Sequence, residues 1–385
     1  MNVKSALLAL AAGTFALGIA EFCMMGILAD VSRELGISID AAGYLISAYS
    51  LGVAIGAPLL VLLRRMPLRT VLLVLTATIA AGNALTAAAP GYVTLLAARF
   101  LSGLPHGAFF GTGAIVCARL AKPGHGAAAV ATMVGGMTVA NVVGVPAATF
   151  VSTALLWRYA FAGVAVVGLI AFICIRTYVP RMAPLPDTGL RGQFRFLRSA
   201  APWLIYGGVF FGQAAVYCWL SYISPVMTHI TGFTMDDMTW IMVLVGCGMV
   251  TGNILAGRCA TRHSPAMVSA VIAALMMAVL PLIYLFSDVK TVSLALAFVA
   301  AACLFGIGGP PQYLIVGFSK GGEMLGGAGI QIAFNVSNAC SAAIGGAAIH
   351  AGLSYDTTAL IGIPFAAVGL ICFVLLRRRY RALGA

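Results

Sequence analysis

The stretch GTFALGIAEFCMMGILAD, residues 13–30, is almost entirely apolar, yet it carries Glu21 near its centre. A run of about 20 apolar residues is long enough to cross the hydrocarbon core of a bilayer as a helix. A carboxyl group inside such a helix is costly, so it normally faces a partner or a water-filled cavity. The stretch therefore predicts a membrane-spanning helix that carries a functional acid.

The rest of the chain has the same apolar character. Hydrophobic residues make up 62% of its 385 residues and charged residues only 8%, whereas a soluble domain is typically about 25% charged. The nine cysteines are scattered without a CxxC pair, and neither a phosphate-binding loop nor an HExxH motif is present. We therefore expect a membrane protein without cofactor, metal or enzymatic activity, and no nucleic-acid partner despite the net charge of +12.

Twelve apolar runs are long enough to span a membrane. They fall at about 5–28, 42–63, 70–89, 93–120, 127–153, 159–179, 203–228, 238–258, 266–286, 291–317, 326–349 and 357–377. If both termini are cytoplasmic, most of the 22 basic residues face the cytoplasm and most acids face outward, as the positive-inside rule requires. The sequence predicts an all-α protein with twelve transmembrane helices in a bacterial inner membrane.

The runs divide into two groups of six. We predict an N-terminal bundle at 1–179, a cytoplasmic linker at 180–202 and a C-terminal bundle at 203–385. In the linker, Arg191, Arg195 and Arg198 either line one face of a short surface helix near anionic lipid or belong to a solvated tether.

The two groups also resemble each other in sequence. GVAIGAPLLVLLRR at 52–65 and GMVTGNILAGRCATR at 248–262 both place spaced small residues before arginines. Asn141 and Asn335 are separated by nearly the same number of residues as these two stretches. This repeat predicts two parallel six-helix bundles, the geometry of transporters whose halves move around a site near the membrane midplane.

Five stretches together resemble the drug/proton antiporter family of the major facilitator superfamily, in its arabinose-efflux-permease-like branch. They are GIAEFCMMGILADVSRELGIS (18–38), AGYLISAYSLGVAIGAPLL (42–60), RFLSGLPHGAFFG (99–111), GGMTVANVVGVPAATF with WRYAF (135–161) and QIAFNVSNACSAAIGG (331–346). The resemblance covers essentially the whole chain and implies the major facilitator fold. Gly144 and Pro146 fit the signature of the fifth span, but Ala147 and Ala148 replace glycines expected there.

Glu21, Arg99 and His106 are the candidates for proton coupling. Glu21 and Arg99 lie at similar depths, about 10 Å from the outer ends of their spans. Either the two form a pair that fixes helix packing, or Glu21 exchanges a proton for substrate as the hydration of a cavity changes. The resemblance favours an acid on this helix for coupling and places Arg99 in a fourth-span motif implicated in it. The proton hypothesis requires the Glu21 carboxyl group to reach an aqueous cavity.

His106 shares a helix face with Arg99, Ser102 and Gly103, at spacings of three, four and seven residues. A histidine there either titrates near neutral pH or serves as a hydrogen-bonded packing residue beside Pro105.

Uncharged polar residues within the predicted spans suggest a substrate cavity. The candidates are Asn141, Gln213, Tyr217, Gln312, Gln331, Asn335 and Asn338. Amides and phenols donate and accept hydrogen bonds without demanding a counter-ion, which suits hydroxyl-bearing or amphiphilic solutes. The alternative is that they join helices to one another, at about 0.6 kcal/mol per hydrogen bond.

Small residues and prolines are the candidates for gating or close packing. Gly52 and Gly56 form a small-xxx-small pattern that allows helices to approach closely. Pro310 and Pro311 lie in the GGPPQ stretch that interrupts the tenth span. This interruption predicts a broken helix, which is either a hinge or a static kink.

We predict a monomeric, proton-coupled exporter of a small polar or amphiphilic solute, such as a sugar, nucleoside or drug, working by alternating access. Its partners are then the small-molecule substrate, protons and membrane lipid. The nearest alternative is a proton-coupled importer of a sugar-like or nucleoside-like solute. An intramembrane enzyme would need a nucleophile–base pair or a metal cluster, and a transporter-shaped sensor would need long extramembrane domains; the sequence shows neither.

Overall fold

The computed structural model describes residues 3–59, 63, 66–121, 126–184, 194–319 and 323–380. Regular secondary structure within these ranges is helical. The α-helices are Val3–Leu35, Ile39–Leu59, Leu68–Ala88, Tyr92–Gly103, Pro105–Leu120, Gly126–Val139, Val145–Ala154, Trp157–Tyr178, Ala200–Leu220, Ile223–Pro225, Met238–Arg262, Pro265–Leu285, Lys290–Gly306, Gly309–Phe318, Glu323–His350 and Thr357–Tyr380.

Twelve segments in the described ranges are long and apolar enough to cross a membrane. We number them spans 1 to 12 in chain order: Val3–Leu35, Ile39–Gly56, Leu68–Ala88, Tyr92–Cys117, Thr132–Ala154, Trp157–Tyr178, Ala200–Leu220, Met238–Ala260, Pro265–Leu285, Lys290–Gln312, Gly326–His350 and Thr357–Tyr380. The predicted all-α fold with twelve spans is confirmed.

Span 1 continues well past its predicted end near residue 28, because its polar residues find partners. Asp30 accepts hydrogen bonds from Arg33 at 2.7 Å and from Ser152 of span 5 at 3.1 Å. The helix stops at Gly36, whose φ of 61° lies in the left-handed region that favours glycine. The Ile37 amide then donates back to the Ser32 carbonyl at 3.1 Å, which caps the helix.

Spans 1–6 pack into one bundle and spans 7–12 into another, and the bundles meet chiefly where span 2 packs on span 11 and span 5 on span 8. The exact boundary within 180–202 stays a prediction. Of the linker, Arg195–Arg198 form a short 3₁₀ turn, whereas Arg191 lies outside the described residues. So do several basic residues of the predicted charge sorting, namely Arg64, Arg65, Lys122, Lys320 and Arg381.

The two bundles repeat the same close helix contact. A Cβ added at Gly56 of span 2 would lie 2.6 Å from the carbonyl carbon of Leu104 in span 4. A Cβ added at Gly252 of span 8 would likewise lie 2.6 Å from the Cα of Ala302 in span 10. Gly52 and Gly248, one turn earlier, contact carbonyl groups in the same way. The sequence repeat therefore corresponds to a repeated pairing of span 2 with span 4 and span 8 with span 10.

Three spans depart from regular α-helix. Span 5 contains a π-helical turn at Ala140–Gly144, which the sequence did not predict. Span 4 is interrupted at Leu104, just before Pro105, and span 10 is broken at Ile307 and Gly308. The break in span 10 lies beside the predicted GGPPQ interruption, and Pro310 and Pro311 stand in the first turn of the following helix, where a missing amide hydrogen costs little.

The bundles are held together at the end that carries residues 36–40, 231–237 and 350–357, which we call the sealed end. Here the Asp40 carboxylate lies 3.0 Å from Nδ1 of His350, and the Ser47 hydroxyl donates to the Ala339 carbonyl at 2.8 Å. Both contacts join span 2 to span 11. The charge sorting predicts that this end faces outward, away from the cytoplasm.

Spans 5 and 8 separate away from the sealed end. Gly246 of span 8 is buried, and an added Cβ would lie 2.7 Å from the carbonyl carbon of Asn141. Gly257 lies on the same face of span 8 three turns further on, where it is exposed and an added Cβ would meet no atom within 4 Å. The two bundles thus touch at one end and part toward the other along this interface.

Candidate functional site

Glu21 is enclosed in the middle of span 1. Only 1% of its surface is exposed, and neither carboxylate oxygen has a hydrogen-bond partner among the described residues. Nε2 of His106 in span 4 lies 3.8 Å from Oε2 of Glu21. A buried carboxyl group without a donor is energetically costly, so its retention needs a functional explanation.

Among the described residues, Arg99 makes no hydrogen bond to Glu21, although the two groups interact electrostatically. Its guanidinium instead donates to the Ala20 carbonyl at 2.8 Å and to the Leu45 carbonyl at 3.4 Å. The guanidinium carbon also lies 4.5 Å from the ring centroid of Tyr49 and 5.3 Å from that of Phe161. Arg99 therefore ties span 4 to spans 1, 2 and 6 through carbonyls and aromatic faces. Its guanidinium also lies close enough to Glu21 to interact with it electrostatically, and whether this pair serves helix packing or proton coupling stays a prediction.

His106 is held from two sides. Its Nδ1 lies 2.9 Å from the Tyr49 hydroxyl, and its ring stacks on Phe110 with centroids 5.2 Å apart. Tyr49 thus touches both His106 and Arg99, although the sequence analysis did not select it. Its only sequence signal is a polar group in mid-span, since one phenol among 12 tyrosines has no distinguishing spacing.

Several of the predicted cavity residues carry buried polar atoms without partners. Within the described ranges, both side-chain amide atoms of Asn141 and both of Asn338 lack a hydrogen-bond partner, as does the hydroxyl of Tyr217. Gln213 and Asn335 are partly satisfied, because each donates to a backbone carbonyl while its own carbonyl oxygen is left unpaired. These residues retain hydrogen-bonding capacity that the protein itself does not use.

The predicted residues do not all lie in one place. Tyr217 of span 7 is close enough to Glu21 to interact with it electrostatically. Asn141 lies in the π-helical turn where span 5 meets span 8. Gln312 and Gln331 are only half-buried, and the backbone carbonyl of Gln331 accepts the Asn335 amide at 3.0 Å.

A row of aromatic rings crosses from one bundle to the other beside Glu21. Phe22 of span 1 packs on Phe305 of span 10 with ring centroids 5.6 Å apart. Phe305 contacts Phe334 of span 11 at 6.5 Å, and Phe334 contacts Tyr217 at 5.6 Å. The sequence analysis missed this row, because its members come from four spans and share no local spacing.

The candidate gating residues lie at close helix contacts. A Cβ added at Gly144 would lie 2.6 Å from Cδ1 of Ile19 in span 1, and Pro146 is buried directly after the π-helical turn. Gly52 and Gly56 bring span 2 against span 4, as described above. Whether any of them moves stays a prediction.

In this conformation the Glu21 carboxyl group is shut off from bulk water, so the requirement that it reach an aqueous cavity is not met here. Proton exchange at Glu21 therefore needs a second conformation in which the bundles part. As for metals, the described ranges contain no group of three His, Cys, Asp or Glu residues that could hold an ion.

Known proteins resemble this chain in both sequence and fold. The sequence profile of the Major Facilitator Superfamily matches residues 10–316. The chain is 45% identical to AraJ of Escherichia coli (strain K12) over 382 residues, covering 98% of this chain and 96% of AraJ. It is 35% identical to the inner membrane transport protein YdhP of Escherichia coli (strain K12) over 380 residues, covering 98% and 97%.

Two further likenesses extend this comparison. A chloramphenicol resistance protein of Streptomyces lividans is 31% identical over 377 residues, covering 95% of this chain and 93% of the relative. The crystal structure of a D-xylose-proton symporter superposes with a TM-score of 0.75 at 17% identity, covering 98% of this chain and 97% of the symporter. At that identity the superposition shows the fold alone.

Twelve spans in two repeated bundles, with a buried acid between them, define the class of multi-pass membrane transporters. The chain belongs to the Major Facilitator Superfamily, as its profile match and its full-length relatives show.

Proposed function

We propose that the protein is a proton-coupled exporter of a neutral amphiphilic solute. The observation that carries this proposal is Glu21, a fully enclosed acid with no hydrogen-bond donor, 3.8 Å from a histidine and next to the contact between the bundles. A group in this position gains or loses a proton according to which side of the membrane the cavity opens to.

In the proposed mechanism, the sealed conformation holds the proton on Glu21, because an ionised carboxyl group without a donor would be costly in a dry site. Opening the bundles hydrates Glu21 and releases its proton. Substrate then binds in place of the proton, and the two exchange sides as the halves at 1–179 and 203–385 rock against each other.

In this mechanism, Tyr49 determines which ring nitrogen of His106 carries the proton. The Tyr49 hydroxyl is 2.9 Å from His106 Nδ1 but 3.5 Å from the Leu17 carbonyl, so the histidine is its stronger acceptor. If Tyr49 donates to Nδ1, the neutral ring carries its proton on Nε2, the nitrogen that faces Glu21. His106 can then stabilise the ionised carboxylate, and Tyr49 acts as the residue that positions it.

The proposed substrate is neutral and amphiphilic. Asn141, Asn338 and Tyr217 offer unused donors and acceptors without net charge, and the aromatic row offers flat apolar surface. The likeness to a chloramphenicol resistance protein supports export of a compound of this kind. Chloramphenicol is therefore the first compound to test.

The orientation of the protein and its membrane are inferred from the distribution of its charged residues. We infer that both termini are cytoplasmic and that the membrane is the bacterial inner membrane, in line with the name of the YdhP relative. A proton entering with the membrane potential releases about 2.3 kcal/mol per 100 mV, enough for modest accumulation of a neutral solute.

Inside-out vesicles test the proposal. Acidifying the lumen should drive radiolabelled chloramphenicol into vesicles that contain the protein. Glu21→Gln should abolish this acid-driven uptake while leaving the protein folded, and Glu34→Gln, at a half-exposed acid of the same helix, should retain it. Release of substrate from preloaded vesicles on lumen acidification would instead indicate an importer, and full acid-driven uptake by Glu21→Gln would refute the role of Glu21.

A further inference from the structure

A basic cavity lies near the end of the bundle opposite the sealed end, where spans 3 and 6 meet. Its volume is about 540 Å³, and its lining includes Arg69, Arg176, Arg181 and Thr70. None of the lining residues within the described part of the chain is acidic. A cavity of this volume is comparable with small-ligand sites, which measure roughly 300–1,000 Å³.

The chain after span 6 builds one wall of this cavity. It folds back beneath the start of span 3, so that the Leu68 amide donates to the Met182 carbonyl at 3.2 Å. The Arg119 guanidinium donates to the neighbouring Ala183 carbonyl at 3.1 Å. Met182 and Ala183 are therefore held by hydrogen bonds from two different helices, and this wall of the cavity is part of the folded structure.

The arginines that line the cavity keep hydrogen-bond donors available for a ligand. Arg69 donates through Nη2 to the Arg176 carbonyl, which caps the end of span 6, while its buried Nε has no partner in the part of the chain that the structure describes. Arg176 and Arg181 are exposed at the rim. Three guanidinium groups around one cavity repel each other unless an anion lies between them.

We propose that this cavity binds the phosphate-bearing headgroup of an anionic phospholipid from the cytoplasmic leaflet. A guanidinium group can bind two phosphate oxygens at once. The half-buried Thr70 lies in the first turn of span 3, where the helix N-terminus adds a favourable dipole. The charge sorting places this end at the cytoplasmic surface, where anionic lipids attract basic groups.

The surroundings favour a lipid over a free anion. Leu73 and Met182 line the cavity on its apolar side, and Val74 and Ile173 nearby are 41% and 54% exposed on the outer face of the bundle. Acyl chains of a bound lipid can therefore lie along spans 3 and 6 while the headgroup enters the cavity. A soluble phosphate would gain nothing from this apolar surface.

The test is native mass spectrometry of the purified full-length protein titrated with phosphatidylglycerol or phosphatidylcholine of identical acyl chains. Wild type should bind phosphatidylglycerol several-fold more tightly. Replacing two arginines, in Arg69→Gln/Arg181→Gln, should weaken phosphatidylglycerol binding about tenfold, since each basic group contributes to the attraction for anionic lipid. Arg377→Gln/Arg378→Gln, which removes the same charge from the end of span 12, should leave the affinity unchanged. Thermal unfolding of each variant checks that it is folded.

Three results would overturn the proposal. Equal binding of both lipids by wild type, or equal loss in both double variants, would show no specific site. Displacement of the lipid by inorganic phosphate, at an ionic strength where chloride has no effect, would assign the cavity to a soluble anion.

Discussion

Tyr49 connects two of the charged or titratable groups around Glu21. Its hydroxyl contacts His106 at 2.9 Å and its ring lies 4.5 Å from the Arg99 guanidinium carbon. Tyr49→Phe removes only the hydroxyl. We expect a loss of about 1 kcal/mol in unfolding free energy and, since hydrogen bonds to charged groups contribute about 1.5–3 kcal/mol, roughly a tenfold fall in acid-driven uptake.

Uptake measured in vesicles from pH 5.5 to 8 checks this expectation, because a positioning role shifts the pH profile whereas lost packing lowers uptake equally at every pH. Tyr159→Phe is the matched control, since Tyr159 is 56% exposed on span 6. An unchanged profile in Tyr49→Phe would remove Tyr49 from the proposed mechanism.

Asn338 allows a test of whether the buried amides bind substrate, as proposed, or join helices to one another. Both of its amide atoms are buried without partners, whereas the hydroxyl of its neighbour Ser337 donates to the Phe210 carbonyl at 2.7 Å. Asn338→Leu should raise the unfolding free energy by about 1–2 kcal/mol, because a desolvated polar group is removed, and should abolish stabilisation by substrate.

Ser337→Ala should instead lower the unfolding free energy by about 1 kcal/mol and leave stabilisation by substrate intact. Thermal unfolding with and without chloramphenicol measures both effects. Destabilisation by Asn338→Leu would mean that the amide already has partners and joins helices.

The site residues that are easiest to predict from the sequence are the ionisable ones, because burying them within a membrane costs the most free energy. Glu21, Arg99 and His106 stand out because ionisable groups are rare in spans. Their hydrogen-bond partners could not be predicted, since Arg99 donates to backbone carbonyls and lies over aromatic rings without a hydrogen bond to Glu21. Which atoms meet depends on helix rotations that no local pattern specifies.

The contact of span 5 with span 8 depends on one small residue. A Cβ at Gly246 would lie 2.7 Å from the carbonyl carbon of Asn141 and 3.2 Å from the Cα of Val142, both in the backbone. Gly246→Ala therefore forces the two spans apart, which should cost about 1–3 kcal/mol of stability in this conformation.

Gly257→Ala is the control on the same face of the same helix, where an added Cβ meets nothing within 4 Å. Because alanine favours helix over glycine by up to about 1 kcal/mol, this variant should be neutral or more stable. Thermal unfolding compares the two variants. Equal effects would show that spans 5 and 8 do not pack as the structure places them.

At the scale of the elements, apolar run length predicts the spans and a glycine–proline cluster predicts the break in span 10. The π-helical turn at Ala140–Gly144 could not be predicted, because its sequence, ANVVG, contains no proline and differs little from ordinary helix. The repeated contacts of Gly56 and Gly252 follow from the sequence repeat, since small residues at equivalent positions permit equivalent close approaches.

For the whole molecule, the sealed end is the feature that must open during transport. Asp40 and His350 bridge spans 2 and 11 there at 3.0 Å. This contact joins the two bundles directly, so its loss should favour the open state. Because His350 is largely exposed, with 80% of its side-chain surface accessible, the pair should change the ratio of sealed to open molecules by no more than about fivefold.

Spin labels at Ser38 and Leu353, one on each bundle at the sealed end, measure that ratio by electron–electron distance. Asp40→Asn should shift the population toward the long distance relative to wild type. Thr234→Ala, which alters the same end of the molecule without touching the pair, should keep the wild-type distribution. An identical distribution in Asp40→Asn and wild type would show that the pair does not control opening.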